Sequence, residues 1–397
     1  MGQTRVAIFG STGSIGRSAL EVITHLSHRL KLVAIAAHRS VEQICAQAHR
    51  YQPSQVVLTD PVAAQTARKM LGTKFQLLTG TQGLKEVVET SNIDILIMAM
   101  TGTVGLIPVM KALTLGKRVA LATKEILVAY GDIVMKTARR YEGELLPVDS
   151  ELTALYQCLD GKEIKTVRRM ILTASGGPFW QRGQPDDVKV SAVLNHPTWK
   201  MGKKITVDSA TMMNKGLEII SAVRLFGVPF QKVATIIHPE SIVHSLIEFQ
   251  DSSIFAQLST PDMRLPIHYC LTYPERLPSL VKPLRLEAIS SLRFYPIPRR
   301  QFPCLALAER ALRTGPLATC VLNAANEVAV QAFLQNEIAF KSIPSIIRAT
   351  LNAFNAQHPK LNTQCPSLNA LRKVEIWALD FARSQVNRHK RHNKNKE

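Results

Sequence analysis

An α/β fold follows from three features of this 397-residue sequence. Residues 1–148 alternate short apolar runs with amphipathic stretches. The middle of the chain mixes strand-like segments with one long polar block, and residues from 303 onward read as helices. Apolar runs without polar alternation, separated by helices, imply a parallel sheet covered on both faces. The expectation is therefore an N-terminal Rossmann-like parallel-sheet domain, a central α/β domain that carries the chemistry, and a C-terminal helical domain.

The first run, RVAIF (5–9), feeds GSTGSIG (10–16) and then an amphipathic stretch to about Ser27. LKLVAIAA near 30–37, QVVL (55–58), IDILIMA (93–99) and RVALAT (118–123) follow, each after a helical pattern. Glycines between a first strand and a first helix allow a tight turn and close approach of a pyrophosphate to a helix N-terminus. The spacing is GxxGxxG, a variant of the commoner dinucleotide fingerprint, and a ligand-free glycine turn is its plain alternative. After the second strand stand His38, Arg39 and Ser40. An acid there would bind ribose hydroxyls, whereas Arg39 can grip a 2′-phosphate, so NADP(H) is expected over NAD(H).

ELLPVDSE (144–151) reads as a strand ending in Asp149, Ser150 and Glu151. Residues two apart on a strand share a face, so both carboxylates could meet one cation; solvated acids are the alternative. ILTASGGPFW (171–180) reads as a strand leading into Ser175-Gly176-Gly177, either an anion-accepting turn or a plain one. The block 195–218, NHPTWKMGKKITVDSATMMNKGLE, offers His196 and Trp199 in a glycine-containing loop. Asp208, Ser209, Thr211, Asn214, Lys215 and Glu218 follow at what reads as a helix start. Hydroxyl, amide and ammonium donors gathered there suit a phosphate. A helix would bring Asn214, Lys215 and Glu218 to one side, as it would any solvated Lys-Glu pair.

VATIIHPESIVHSLIEF (233–249) suggests a sheet with one open face, of the kind that serves dimer interfaces. VLNAANEVAVQAFL (321–334) and RKVEIWALDFARSQV (372–386) read as amphipathic helices. The expected division is a cofactor domain at 1–148, a central domain at 149–275 with a flexible loop near 195–204, a basic, Pro-rich linker at 276–302, and a helical domain with a basic tail at 303–397.

The net charge is +19, and residues 383–397 hold six Lys/Arg against one Glu. Such a balance suits an enzyme that steers anionic substrates. No nucleic-acid motif accompanies it, so neither nucleic acid nor membrane is expected as a partner. Six scattered cysteines without metal spacing suggest free thiols in a reducing cytoplasm. RVAIF begins at Arg5, which leaves no room for a signal or transit peptide, and the long uncharged run 95–110 is broken by Gly102, Gly105 and Pro108.

GSTGSIG, ATKE (122–125), PVDSE (147–151), SGGPF (175–179), the block from His196 to Glu218, HPESIVHS (238–245), AQLSTPDMRLPI (256–267) and VLNAANEVAV (321–330) occur in that order. In these motifs the chain closely resembles the 1-deoxy-D-xylulose 5-phosphate reductoisomerase family, from about Val6 to beyond Phe340. The resemblance implies a homodimeric enzyme that rearranges a sugar phosphate and reduces it with NADPH, beside Mg²⁺ or Mn²⁺. It implies metal ligation by Asp149, Glu151 and Glu218. It implies substrate contacts from Lys124, Ser150, Glu151, Ser175, His196, Trp199, Ser209, Asn214, Lys215 and Glu218, with Lys124, Glu151 and His196 closest to the chemistry. Cofactor contacts are implied at Thr12, Gly13, Ser14, Ile15, His38, Arg39, Ser40, Thr123, Glu125 and Gly202. The chain departs from the common family pattern at His38, Ser40, Thr123, Leu152, Thr153 and Glu240. Two rival functions fare worse: another Rossmann-type dehydrogenase would need no phosphate-type cluster, and a basic nucleic-acid-binding protein would show aromatic interleaving or a groove-reading helix, which the sequence lacks.

Overall fold

A computed structural model describes residues 2–181, 183, 188–195, 199, 201–358 and 365–394. The chain divides into two compact units. The first comprises Met1–Ile126, Val134–Thr153 and Asp262–Pro283; the second comprises Leu127–Ile133, Ala154–Pro261 and Leu284–Glu397.

The first unit is built on a parallel sheet. Its elements in order are β1 (Thr4–Phe9), α1 (Ser14–His25), β2 (Leu30–Ala37), α2 (Val41–Tyr51), β3 (Gln55–Leu58), α3 (Pro61–Leu71), β4 (Gln76–Thr79), α4 (Gly80–Thr90) and β5 (Ile95–Met98). α5 (Leu106–Thr114), β6 (Arg118–Leu121), α6 (Lys124–Arg140), β7 (Leu145–Pro147) and α7 (Ser150–Leu159) follow, with α6 and α7 contributing residues to both units. The seven strands lie in the order β4-β3-β2-β1-β5-β6-β7, every pair parallel. Val6, Ala7, Ile8 and Phe9 of β1 are wholly buried, as the unbroken apolar run requires of a strand covered on both faces. Strand order reverses between β1 and β5, the crevice where sheets of this class take ligands.

β4 escapes a sequence reading because QLLT is short and only half apolar. The acidic turn at 149–151 needs correction. β7 stops at Pro147, and Glu151 lies in the first turn of α7 rather than on a strand. Asp149 precedes that helix and its Oδ1 accepts from the Leu152 N–H at 3.4 Å. Helix geometry, not strand alternation, therefore sets the relation of the two acids.

The second unit holds a mixed sheet and the C-terminal helices. Its strands are β8 (Val167–Ala174), β9 (Val233–Ile237), β10 (Val243–Phe249) and β11 (Ile254–Leu258), in the order β11-β10-β8-β9. β8 pairs parallel with β9 and antiparallel with β10. The strand-like stretch 233–249 is thus two strands, split where Ser241 adopts a positive φ of 51°. Between β8 and β9 run α8 (Val190–Leu194), α9 (Lys203–Ala210) and α10 (Met213–Phe226). α11 (Arg264–Thr272) returns to the first unit. α12 (Pro303–Thr314), α13 (Pro316–Leu334), α14 (Ser342–Gln357) and α15 (Leu368–Lys394) complete the second. α13 is long and apolar enough to cross a membrane, but 78% of that stretch is buried against its own unit, as befits a core helix. None of the six cysteines is in a disulfide; five are buried and Cys365 is exposed.

Candidate active site

In the first unit the turn between β1 and α1 separates the roles of its glycines. Gly10 has φ +94°, and a Cβ there would sit 2.4 Å from the Ala99 carbonyl oxygen. A Cβ on Gly16 would sit 2.2 Å from the Gly10 oxygen. Both are fixed by sterics alone. Gly13 has an ordinary φ of −74°, and the nearest atom to an added Cβ is 3.4 Å away. It is exposed, and α1 has no side-chain cap and no acid in its first turn. The open N–H groups of that turn are what a pyrophosphate needs. Gly16→Ala should therefore cost about 1–3 kcal/mol of stability, and Gly13→Ala no more than about 0.5 kcal/mol. Thermal unfolding of the two variants checks this, and equal melting temperatures would erase the distinction.

His38, Arg39 and Ser40 are all exposed at the end of β2. The Arg39 Nε donates to Asp60 Oδ2 at 2.7 Å, and His38 Nδ1 lies 2.9 Å from the Thr59 hydroxyl. Asp60 also caps α3, accepting from the Ala63 N–H at 3.0 Å. The Ala63 N–H, then Arg39, hold the Asp60 carboxyl below its usual range. Asp60 thus orients the arginine expected to meet a 2′-phosphate. Sequence reasoning missed it, although Asp before Pro61 is a recognisable helix cap.

Buried Thr123 stands just before α6 and its hydroxyl donates to the Met100 carbonyl at 2.6 Å. That bond ties it to the chain after β5, which leaves its hydroxyl proton unavailable to a cofactor. Lys124, the first residue of α6, is buried and ion-paired with Asp149. Glu125 is half-buried in the same turn. Ser150 donates through Oγ to the Glu151 carboxylate. This unit therefore brings together an ammonium, a hydroxyl and two carboxylates.

The second unit holds the residues expected to meet a phosphate. After β8, Gly176 and Gly177 take positive φ values of 89° and 65°, a conformation costly for residues with a Cβ. A Cβ on Gly177 would lie 3.1 Å from the Ser209 oxygen and 3.3 Å from the Ala210 Cα. The Ser175 turn therefore rests directly on the backbone of α9. Ser209 lies near the end of that helix, not at the start of the next, which corrects the expectation of one continuous helix start. The break is Met212, buried and left-handed at φ +58°.

Asn214 and Lys215 then occupy the first turn of α10. Lys215 is buried and pairs through Nζ with Glu218, which is fully buried. Asn214 Nδ2 donates to the other Glu218 oxygen at 2.6 Å. A Cβ on Gly216 would lie 2.4 Å from the Ala308 Cβ, so α10 and α12 touch closely right beside Lys215. Gly202 precedes α9 with open space around its Cα. The Trp199 ring lies 6.1 Å from that of His244. His196 lies outside the described residues.

Glu240, unassigned by sequence, accepts from Arg293 Nε at 2.6 Å and lies 3.1 Å from His238 Nδ1. It anchors the segment after Leu284 to the β9–β10 turn. A cleft of about 1050 Å³ opens in the first unit at the opposite, N-terminal edge of its sheet, lined by Arg29, Lys117, Arg118, Glu144 and Glu275 among others. Its Arg29–Glu275 and Arg118–Glu144 pairs are already formed, and it is remote from the strand ends that carry the residues above.

Three family models match this chain. They are 1-deoxy-D-xylulose 5-phosphate reductoisomerase over residues 6–131, its C-terminal domain over 145–226, and a DXP reductoisomerase C-terminal domain over 258–380. The 1-deoxy-D-xylulose 5-phosphate reductoisomerase of Protochlamydia amoebophila is 44% identical over 95% of this chain and 97% of its own length. That of Heliobacterium modesticaldum is 44% identical over 96% and 97%. A crystal structure of DOX-P reductoisomerase with NADPH, fosmidomycin and magnesium superposes with a TM-score of 0.91 at 36% identity, covering 97% of this chain and 98% of that one. The Zymomonas mobilis enzyme with NADPH gives 0.88 at 35% identity, covering 97% and 99%.

Proposed function

The chain belongs to the 1-deoxy-D-xylulose 5-phosphate reductoisomerase family, and from that premise we propose how its own residues carry out the reaction. The reaction is metal-dependent rearrangement and NADPH reduction of 1-deoxy-D-xylulose 5-phosphate to 2-C-methyl-D-erythritol 4-phosphate, in non-mevalonate isoprenoid precursor synthesis. The observation that carries the reading is the cluster of half-buried Asn214 with buried Lys215 and Glu218. It places phosphate-type donors and a desolvated carboxylate within one helical turn.

Asp149, Glu151 and Glu218 are proposed as the cation's ligands. Hard carboxylate oxygens suit Mg²⁺ or Mn²⁺, and a carboxylate as buried as Glu218 needs a compensating positive charge. Lys215 supplies that charge in the structure described. When bound, the cation contributes Lewis-acid stabilisation of negative charge on the substrate's oxygens. Lys124 and Ser150 orient the hydroxyl and carbonyl end of the substrate. Ser175, Ser209, Asn214 and Lys215 hold its phosphate, with substrate contacts also proposed from His196 and Trp199. That grip supplies remote binding energy to align the reacting carbons and keep water out.

Ser14 and Ile15 offer backbone N–H groups to the NADPH pyrophosphate, flanked by Thr12 and by Gly13, whose own N–H donates to the Gly10 carbonyl. Arg39, oriented by Asp60, takes the 2′-phosphate with His38 and Ser40 beside it, and Glu125, Thr123 and Gly202 complete the cofactor's surroundings. Bound NADPH supplies the hydride. We further propose a cytoplasmic homodimer whose subunits meet through the second sheet, where edge strand β11 exposes Ile254 and Phe255.

The direct test follows NADPH absorbance with deoxyxylulose phosphate, with and without Mg²⁺. Turnover that requires both substrate and metal is expected, with EDTA abolishing it. Turnover indifferent to EDTA would favour an ordinary dehydrogenase instead.

A further inference from the structure

Asp208 has no part in the reaction as described, although it adjoins Ser209 and is only 2% exposed. A carboxylate at that depth is costly unless paired and hydrogen-bonded. Both of its oxygens are engaged. Oδ2 accepts from Lys204 Nζ at 2.9 Å, one turn earlier on α9. Oδ1 accepts from Asn326 Nδ2 at 2.8 Å, on α13. Asn326 is itself fully buried. The first bond is local to α9, whereas the second crosses between helices and sets where α9 sits against α13.

That second bond matters because α9 is short and sparsely apolar. Its buried residues are Thr206, Val207, Asp208 and Ala210, half of them polar. Hydrophobic burial alone gives such a helix a loose seat, and a charge-assisted hydrogen bond fixes it. The seat of α9 decides two donors at once. Ser209 is the next residue, and its carbonyl supports the Gly177 backbone and with it the Ser175 turn. The same helix leads through left-handed Met212 into Asn214 and Lys215.

We infer that Asp208 is a positioning residue for the phosphate grip: by holding Asn326 it fixes α9, and so spaces Ser175 and Ser209 for one phosphate. The inference rests on the substrate assignment above and adds a residue to it. In full-length enzyme with NADPH and Mg²⁺, Asn326→Ala, which removes the donor to Asp208 Oδ1 and spares the Lys204 pair, should raise both the KM for deoxyxylulose phosphate and the inhibition constant of inorganic phosphate by about tenfold. Values of kcat and the KM for NADPH should stay within about twofold, since uniform binding is what is lost. Asp208→Asn is the conservative control: its amide can turn the oxygen to Lys204 and the NH₂ to a flipped Asn326, so both constants should stay near wild type.

If Asn326→Ala does not fold, Asn326→Leu, which fills the space but donates nothing, should show the same joint rise. Phosphate inhibition unchanged in a folded Asn326 variant would overturn the inference. So would a lower kcat with both KM values intact, which signals a smaller active fraction rather than a displaced grip. Wild-type enzyme that consumes no NADPH with deoxyxylulose phosphate would overturn the substrate assignment instead.

Discussion

Glu218→Gln is expected to lower kcat by about a thousandfold, because losing one of the three proposed cation ligands removes several kcal/mol of transition-state stabilisation at 1.36 kcal/mol per decade. The substitution suits the question because it removes charge and little else. Lys215 can only donate, so the new amide must turn its oxygen toward that ammonium. Its NH₂ then faces Asn214, whose own amide can flip to accept. The bonds from position 218 to Lys215 and Asn214 are thereby kept, and the fold should melt near the wild-type temperature. Steady-state kinetics over a range of Mg²⁺ concentrations would show a raised metal requirement alongside the lost kcat. An unchanged rate would remove Glu218 from the ligand set.

Lys215→Ala should act on binding and on stability by different routes. Loss of a charged hydrogen-bond donor to the phosphate should raise the substrate KM by about 10- to 100-fold. It also strips the buried Glu218 of its cation, and breaking a buried pair by deleting one partner typically costs about 3–5 kcal/mol. Saturating Mg²⁺ should offset part of that loss, since the ion would take over the neutralising role. Melting curves with and without Mg²⁺, set beside KM values, separate the two effects. A variant with full stability and undiminished substrate affinity would show that Lys215 serves neither purpose.

Much of the site was legible because it depends on covalent spacing. Asn214, Lys215 and Glu218 share a helix face by the arithmetic of 3.6 residues per turn. The first glycine turn was legible because the strand before it and the helix after it are strongly patterned. Arg39 was readable from the missing acid after β2. What stayed hidden depends on contacts between distant residues or on a single unusual torsion. Asp60 meets Arg39 across 21 residues of sequence. Ser209 sits on a different helix from Lys215 because Met212 turns left-handed, which methionine does not advertise. Glu151 reads as a strand residue until Pro147 is seen to end β7. The parallel sheet was readable from its buried core strands, while QLLT lacked the apolar length to reveal β4.

The close approach of Gly216 to Ala308 carries a consequence for how this sequence can drift. Ala308 performs no chemistry and lies ninety positions from Glu218, yet a side chain larger than a methyl would wedge α12 off α10 beside Lys215. Genetic change at so inert a position is therefore channelled almost as narrowly as at the carboxylate itself. Its allowed alphabet is set by a neighbour's missing side chain.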